Sequence, residues 1–401
     1  MNRILARPRS SSSLYGKQSE ASDQKPKVIT GSPYQDARYD TILATKGIFM
    51  VESQLGVTAT SKTLCRNLLA TEQTIPNDSL FRDDLFRETC EMVQDKNKAI
   101  VARHILPLIV PSVAALAICG ARHLKILIES MNEDWNNSIP ITKTRPQPDY
   151  SVGFRREAFT EDQLKRIEPF VGGLTDTSFF MATYSMYFPF FTCETKCGAV
   201  ALNVADRQNA HSMAMAVRGI VELFTLVKRE KELHGQILAF SISHDHSSVR
   251  IYGHYPLISG DKTTFFRHSI HKFDFTAMEG KEKWTAYRFT KNVYDGWMPD
   301  HFKRICSAID MLPPDINFEV LQQSEPGESR ILPGLESHYP SDLNSQDIVS
   351  LQEEPRSQLS LVSARDITPH TSVSEQISGR VSKRARKSSP PVELHQDGKP
   401  N

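Results

Sequence analysis

One strand-like segment of the chain places two opposite charges within an otherwise apolar run. Residues 188–197 read Phe-Pro-Phe-Phe-Thr-Cys-Glu-Thr-Lys-Cys. Successive side chains of a strand point to opposite faces of the sheet, so Glu194 and Lys196 share a face. Burying two charges there is costly unless they pair or coordinate something. The segment therefore predicts a buried strand whose carboxylate and ammonium have specific partners.

A second strand-like segment supplies another carboxylate. Residues 148–154 read Pro-Asp-Tyr-Ser-Val-Gly-Phe, with Asp149 at the start. If the two strands are neighbours, Asp149, Glu194 and the Thr195 carbonyl form an oxygen-rich site of the kind that suits Mg²⁺. Lys196 would then orient an attacking water or stabilise negative charge, as phosphodiester cleavage requires. The alternative is a cross-strand ion pair on a solvated face, which the flanking phenylalanines disfavour.

Composition limits the class of protein. The length of 401 residues suits one large domain or two ordinary ones, and the formal net charge of +1 means that any basic surface must be local. The longest apolar run, residues 105–121, contains two prolines and is short for a membrane span, so no membrane partner is expected. Without a leading apolar segment, the six cysteines are predicted to be free thiols.

The sequence divides into a globular middle and two polar ends. Residues 1–38 and 313–401 are predicted to be disordered tails, and residues 39–312 to be the folded domain. The basic start of the first tail is read as a solvated tail, or alternatively as a mitochondrial presequence. The cluster 380–387 in the second tail reads Arg-Val-Ser-Lys-Arg-Ala-Arg-Lys. It predicts nuclear import, with a nucleic-acid-binding patch or a solvated charge run in a cytoplasmic protein as the alternatives.

Periodicity in the globular part predicts a mixed α/β fold. Helices are expected over residues 80–105, 121–135 and 202–232, after a Thr160 capping box, and towards residue 312; strands are expected over 178–186, 188–197, 237–243, 249–255 and 263–275. The last of these strands is read as an extended edge or a strand pair.

The order of helix, Pro-Asp strand, Glu-x-Lys strand and long helix resembles the PD-(D/E)xK nuclease-like superfamily. More narrowly, the chain is similar to fungal uncharacterised proteins with a nuclease-like domain of this kind. The resemblance covers residues 40–312 and is carried by RPQPDYSVGF, CETKCG, ADRQNAHS and IYGHY at residues 145–154, 193–198, 205–212 and 251–255.

The resemblance implies an α/β, restriction-endonuclease-like core in αβββαβ order, with a mixed sheet and helical decorations. It also implies metal-binding roles for Asp149 and Glu194, with Mg²⁺ or Mn²⁺ as the cofactor, and a catalytic role for Lys196. DNA or RNA is the implied partner. A catalytically inactive module that keeps the fold and binds nucleic acid or another partner is the alternative, and the oligomeric state is left open.

Several supporting residues remain open at this point. Many members of the superfamily use an additional acid upstream, for which the candidates are Glu88, Glu91, Glu129 and Glu133. Arg207 and Gln208, at the start of the long helix, are read either as residues that position phosphate or as capping and ion-pairing residues.

Histidine-rich segments offer two weaker sites. His244 and His246 could bind a transition metal with Cys193 or Cys197, but a polar hairpin tip is favoured. A basic groove is also considered against ordinary solvated charges, and it would comprise His254, Arg267, His268, His271 and Lys272.

Overall fold

The computed structural model describes residues 32–198 and 202–313. The predicted tails fall outside these ranges except for residues 32–38 and 313, and so does the basic cluster 380–387. Ordered structure begins before residue 39, because Pro33–Gln35 form a short 3₁₀ turn in which Tyr34 is buried.

The described residues form one six-stranded mixed sheet, whose strands lie side by side in chain order. The strands are β1 (Leu127–Ser130), β2 (Tyr150–Phe154), β3 (Tyr187–Thr195), β4 (Ala239–His244), β5 (Ser248–Ser259) and β6 (Lys262–Asp274). All neighbouring pairs are antiparallel except β3 and β4, which are parallel. The mixed α/β class predicted from periodicity is confirmed.

Helices cover both faces of this sheet. They are α1 (Tyr39–Thr45), α2 (Ala59–Ala70), α3 (Phe86–Val93), α4 (Lys98–His104), α5 (Leu106–Ile109), α6 (Val113–Ile118), α7 (Glu161–Val171), α8 (Leu202–Leu226), α9 (Ala277–Gly280), α10 (Thr285–Asn292) and α11 (Met298–Asp310). A π-helical turn, Val293–Trp297, joins α10 to α11. No helix in the described part of the chain is long and apolar enough to cross a membrane.

Helix α8 is the crossover that makes β3 and β4 parallel, and it packs on one face of both strands. Its Asn209 accepts a hydrogen bond from Thr192 Oγ1 at 2.7 Å and donates to the Ile242 carbonyl at 2.9 Å. Aromatic residues cover the other face: Tyr294 contacts Phe191, and Trp297 contacts Phe240. Because both faces are covered, every residue of β3 is buried.

Two helix predictions between residues 80 and 135 are wrong. The helix predicted over residues 80–105 is two helices, because Asp95 has a φ of +57° and Asn97 caps α4 by accepting from the Ile100 amide. The helix predicted over 121–135 is a 3₁₀ turn followed by β1. Its apolar spacing fits a helix, but pairing with β2 outweighs that local preference.

Other predictions near the sheet are confirmed or adjusted. The Thr160 capping box and the β4–β5 hairpin are present as expected, and the helix predicted over 202–232 is α8, which ends earlier, at Leu226. The segment 178–186 is not a strand and makes only isolated bridges, one at Ser178 and one at Met181. Segment 263–275 corresponds to the single edge strand β6. All six cysteines are free, as predicted.

Candidate active site

The antiparallel pairing of β2 with β3 brings the two predicted carboxylates together. Tyr150 pairs with Cys193, so Asp149, just before β2, lies opposite Glu194. The Thr195 amide donates a hydrogen bond to Asp149 Oδ2 at 2.8 Å, which fixes the Asp149 side chain against β3. Asp149 and Glu194 are 4% and 1% exposed, so both carboxyl groups are buried at the same end of the sheet.

Lys196 lies beside the same pair. Its Nζ donates to Glu194 Oε2 at 3.1 Å and to the Thr195 carbonyl at 3.3 Å. The residue is only 7% exposed. The three residues singled out from the sequence therefore occupy one buried cluster. The partner that the sequence predicted for Glu194 is Lys196.

A second lysine, which the sequence did not single out, completes this cluster. Lys98 Nζ forms an ion pair with Asp149 Oδ1, and its side chain is 43% exposed. Asn97 caps α4 at this point, so Lys98 is the first residue of that helix. The two partners are 51 residues apart in the chain. Nothing local distinguishes Lys98 from the other lysines, because only the packing of α4 against the end of β3 creates the contact.

The electrostatics of the cluster centre on Glu194. Burial, together with the nearby Asp149 carboxylate, raises the pKa of Glu194 to about 8. Lys196 and Lys98 oppose this rise because each ammonium favours the charged carboxylate. Two largely buried carboxyl groups and two ammonium groups therefore lie together, and Glu194 holds its proton more tightly than an exposed glutamate does.

This raised pKa predicts how stability changes with pH. The ordinary pKa of Glu194 is 4.5 and the folded value is about 8. Between those values the folded protein binds a proton that the unfolded chain has released, so the free energy of unfolding falls as pH rises from about 4.5 to about 8. In metal-free urea unfolding, the wild type should lose on the order of a few kcal/mol relative to Glu194→Gln over that window. Parallel pH profiles for the two proteins would contradict this expectation.

Residues on the α8 side hold the N-terminal segment against the cluster. Arg207 Nε donates to Asp40 at 2.7 Å, and Arg207 Nη1 donates to the Tyr34 carbonyl at 3.1 Å. Arg207 thus makes the ion pair that was weighed against phosphate positioning. Gln208 Oε1 is buried without a hydrogen-bond partner among the described residues.

Tyr34 and His211 form an uncharged hydrogen-bonded pair close to Glu194. The Tyr34 hydroxyl and His211 Nδ1 are joined by a hydrogen bond of 2.8 Å. Burial raises the pKa of Tyr34, and the neighbouring Tyr39 and the Glu194 carboxylate raise it further. Burial lowers the pKa of His211 to about 3. Both groups therefore stay uncharged near neutral pH.

His244 is the last residue of β4 and supports β3, while Asp245, His246 and Ser247 form the polar hairpin tip that was predicted. His244 Nδ1 donates to the Asp245 carbonyl at 2.9 Å, so in the neutral ring Nε2 accepts from Thr195 Oγ1 at 2.8 Å. Burial lowers the pKa of His244 to about 4, which keeps the ring neutral. Across residues 32–198 and 202–313, no group of three or more His, Cys, Asp or Glu side chains is arranged to hold a metal ion. The His/Cys metal site considered from the sequence is therefore absent there.

The four candidates for an upstream acid lie in different settings. Glu88 and Glu91 are exposed on α3, and Glu91 pairs with Arg87. Glu129 belongs to β1, where it accepts hydrogen bonds from the Tyr150 hydroxyl, the Ser112 hydroxyl and the Val113 amide. Glu133 follows β1 in a loop. No contact described for these four residues joins them to Asp149 or Glu194, and Lys98 is the upstream residue that reaches Asp149.

The donor set fits a divalent cation that retains water. Two carboxylates and the Thr195 carbonyl supply the few oxygen ligands that Mg²⁺ prefers, with water for the rest. Metal binding would require Lys98 to release Asp149 Oδ1, and it would favour the deprotonated form of Glu194.

Comparison with known protein families finds a family model that matches this chain. A family model described as "Domain of unknown function (DUF7924)" matches residues 85–309, more than half of the chain. The chain belongs to the DUF7924 family. The matched region includes all six strands and also Lys98, Asp149, Glu194 and Lys196, so the whole cluster lies within the DUF7924 domain. Searches of curated proteins and of solved structures found no match.

Proposed function

We propose that this DUF7924 chain is a metal-dependent nuclease that hydrolyses phosphodiester bonds of DNA or RNA. The observation that carries the proposal is the convergence of Asp149, Glu194 and Lys196 in one buried cluster. A carboxyl group with a raised pKa beside ammonium groups, as at Glu194, is typical of sites that move protons or stabilise charge.

The order of elements supports a restriction-endonuclease-like core within the proposal. Helices precede three antiparallel strands, β1 to β3, and α8 then leads to the parallel strand β4. This is the αβββαβ order that the PD-(D/E)xK resemblance implies, and β5 and β6 extend the sheet beyond it. The proposal includes kinship with the fungal nuclease-like proteins that the sequence resembles.

Each residue of the cluster has a distinct role in the proposed hydrolysis. Asp149 and Glu194 would hold Mg²⁺ or Mn²⁺, which supplies Lewis-acid activation of the phosphoryl group and of water. Lys196, beside Glu194, orients the attacking water or stabilises the charge that develops on the phosphoryl oxygens. Hydrolysis adds water across one P–O bond, so phosphorus gains the hydroxyl group and the leaving oxygen gains the proton.

We assign Lys98 the role of a cation that a metal ion replaces at Asp149. Its ammonium neutralises Asp149 when no metal is bound, and its partly exposed side chain can leave without unfolding α4. If Asp149 held an ion, the Lys98 ammonium would be free to contact a phosphate of the substrate. The cluster thus changes its cation without leaving a buried carboxylate uncompensated.

The catalytically inactive alternative is favoured by a different observation. Asp149 Oδ1 and Oδ2 are already satisfied by Lys98 and the Thr195 amide, so the cluster is stable as an ion-pair network. A domain of this kind would bind nucleic acid or another partner without catalysis.

The experiment that separates the two functions uses purified full-length chain and end-labelled polymers. Single-stranded and duplex DNA and RNA are incubated with Mg²⁺, with Mn²⁺ or with a chelator. The proposal expects metal-dependent cleavage of at least one polymer. Binding without cleavage under every condition would support the inactive module instead.

The proposed location is the nucleus, and it depends on the basic cluster 380–387. A fluorescent fusion should be nuclear, and it should lose that localisation when the five basic residues of the cluster, Arg380, Lys383, Arg384, Arg386 and Lys387, are changed to alanine. A cytoplasmic intact fusion, or an alanine variant that stays nuclear, would count against nuclear import by this segment.

A further inference from the structure

Two arginines flank a buried carboxylate of α8 near the proposed active site, and a lysine of the edge strand lies beside them. We call Arg250, Arg267 and Lys272 the cationic cluster. Asp206, on α8, accepts a hydrogen bond from Arg250 Nη1 at 2.8 Å, and Arg267 Nη1 lies 3.8 Å from the same oxygen. Asp206 is 3% exposed, so it holds Arg250 in place from beneath.

Tyr252 joins the third cation to this group. Its hydroxyl donates to Asp206 at 3.0 Å, the Arg267 guanidinium lies 4.2 Å from the ring centroid, and Lys272 Nζ lies 5.6 Å from it. Asp206 thus pairs with two of the three cations, and Lys272 joins the group through the Tyr252 ring. Arg267 Nη1 is also buried without a hydrogen-bond partner among the described residues. The excess positive charge is local, since the whole chain carries a formal net charge of only +1.

Strand register aligns this cluster with the proposed catalytic residues. Glu194 pairs with Ser243, Ser243 pairs with Arg250, and Arg250 pairs with Lys272. Residues paired in this way share a row and a face of the sheet. Neighbouring strands are about 4.8 Å apart, so the backbone of Arg250 is roughly 10 Å from that of Glu194 and Lys272 roughly 14 Å.

The cationic cluster is open to a ligand at its outer end. Lys272 is exposed on the edge strand β6, and the Arg250 side chain is 29% exposed. The described polar contacts of Arg250 to Asp206 and Asn203 both use Nη1. A rigid guanidinium and a mobile ammonium in one row suit a chain of phosphates, because backbone phosphates recur along a strand at a spacing of several ångströms.

We infer that the cationic cluster binds backbone phosphates of the strand whose scissile phosphate lies at Asp149 and Glu194. The inference deepens the proposed function and rests on it for the placement of the scissile phosphate. Binding to phosphates is independent of sequence, and it makes affinity depend on salt concentration. The basic groove considered from the sequence is thereby redrawn, since His268 and His271 pair with Glu52 and Glu282 instead.

The test measures binding in the absence of metal, so that catalysis does not enter the result. Fluorescence anisotropy with labelled single-stranded and duplex oligonucleotides, in chelator and over a range of salt, gives the slope of log affinity against log salt. Lys272→Ala should weaken binding and reduce the slope by about 1, the expected effect of losing one phosphate contact. The probe with the larger effect identifies the strandedness of the ligand.

Lys262 supplies a matched control, because it is exposed at the opposite end of the same strand. Lys262→Ala should leave the slope unchanged, and Lys272→Arg should restore it. Equal slopes for Lys272→Ala, Lys262→Ala and the wild type would overturn the inference, as would a wild type that binds neither probe. If Lys272→Ala behaves as expected but the wild type cleaves nothing, the phosphate surface stands and the catalytic proposal fails.

Discussion

Replacement of Lys196 by methionine is expected to reduce metal-dependent cleavage by roughly 10²- to 10³-fold, the usual cost of losing one preorganised group that stabilises transition-state charge. Lys196 Nζ contacts Glu194 and the Thr195 carbonyl, and so it lies where a water or a phosphoryl oxygen would meet the metal ligands. The rate constant for cleavage under single-turnover conditions measures this effect directly.

The folded state should survive this replacement. Glu194 has a pKa of about 8, and removing Lys196 takes away an ammonium that lowers it, so Glu194 keeps its proton near neutral pH and leaves no uncompensated buried charge. Lys98 and the Thr195 amide still satisfy Asp149. A Lys196→Met protein that is folded by circular dichroism and still cleaves at the wild-type rate would remove Lys196 from the mechanism.

Replacement of Lys98 by methionine is expected to have opposite effects on metal binding and on cleavage. The metal must break the ion pair between Lys98 and Asp149, and a hydrogen bond to a charged group contributes about 1.5–3 kcal/mol. Its removal should tighten Mn²⁺ binding by roughly 10- to 100-fold, at about 1.4 kcal/mol per tenfold. Cleavage should nevertheless slow by about tenfold or more, because one charge-assisted contact to the substrate phosphate is lost.

Lys96 provides the matched control for this pair of measurements. It is exposed in the loop just before α4, two positions from Lys98, and its replacement by methionine removes the same charge from the same region. Lys96→Met should leave the Mn²⁺ affinity and the cleavage rate close to wild type. A purely structural role for Lys98 would give weaker or unchanged metal binding in Lys98→Met, and that result would contradict the exchange of cations at Asp149.

The part of the site that could be predicted depends on residues close in sequence or on one strand pairing. The alternation along β3 continues to Lys196, which lies on the same face as Glu194, and the segment after Asp149 becomes β2, the neighbour of β3. The apolar flanks correctly indicated burial, because α8 covers one face and the aromatic residues of the α10–α11 region cover the other.

The remainder depends on tertiary contacts that leave no local signal. Lys98 meets Asp149 only because α4 packs against the end of β3. Strand β1 has helix-like apolar spacing, and only pairing with β2 makes it a strand. Arg207 is adjacent to Gln208 in sequence, yet it is directed to Asp40 in a segment whose packing could not be inferred.

The most direct test of the central claim is an Mn²⁺ titration of the metal-free wild-type chain and of Asp149→Asn by isothermal calorimetry. Asparagine keeps an acceptor for the Thr195 amide but loses the carboxylate charge, so the fold should persist while the site weakens. We predict saturable Mn²⁺ binding by the wild type and affinity at least about tenfold lower in Asp149→Asn, the loss of one charged ligand. Absence of Mn²⁺ binding by the folded wild type, or equal binding by both proteins, would contradict a metal site at Asp149 and Glu194.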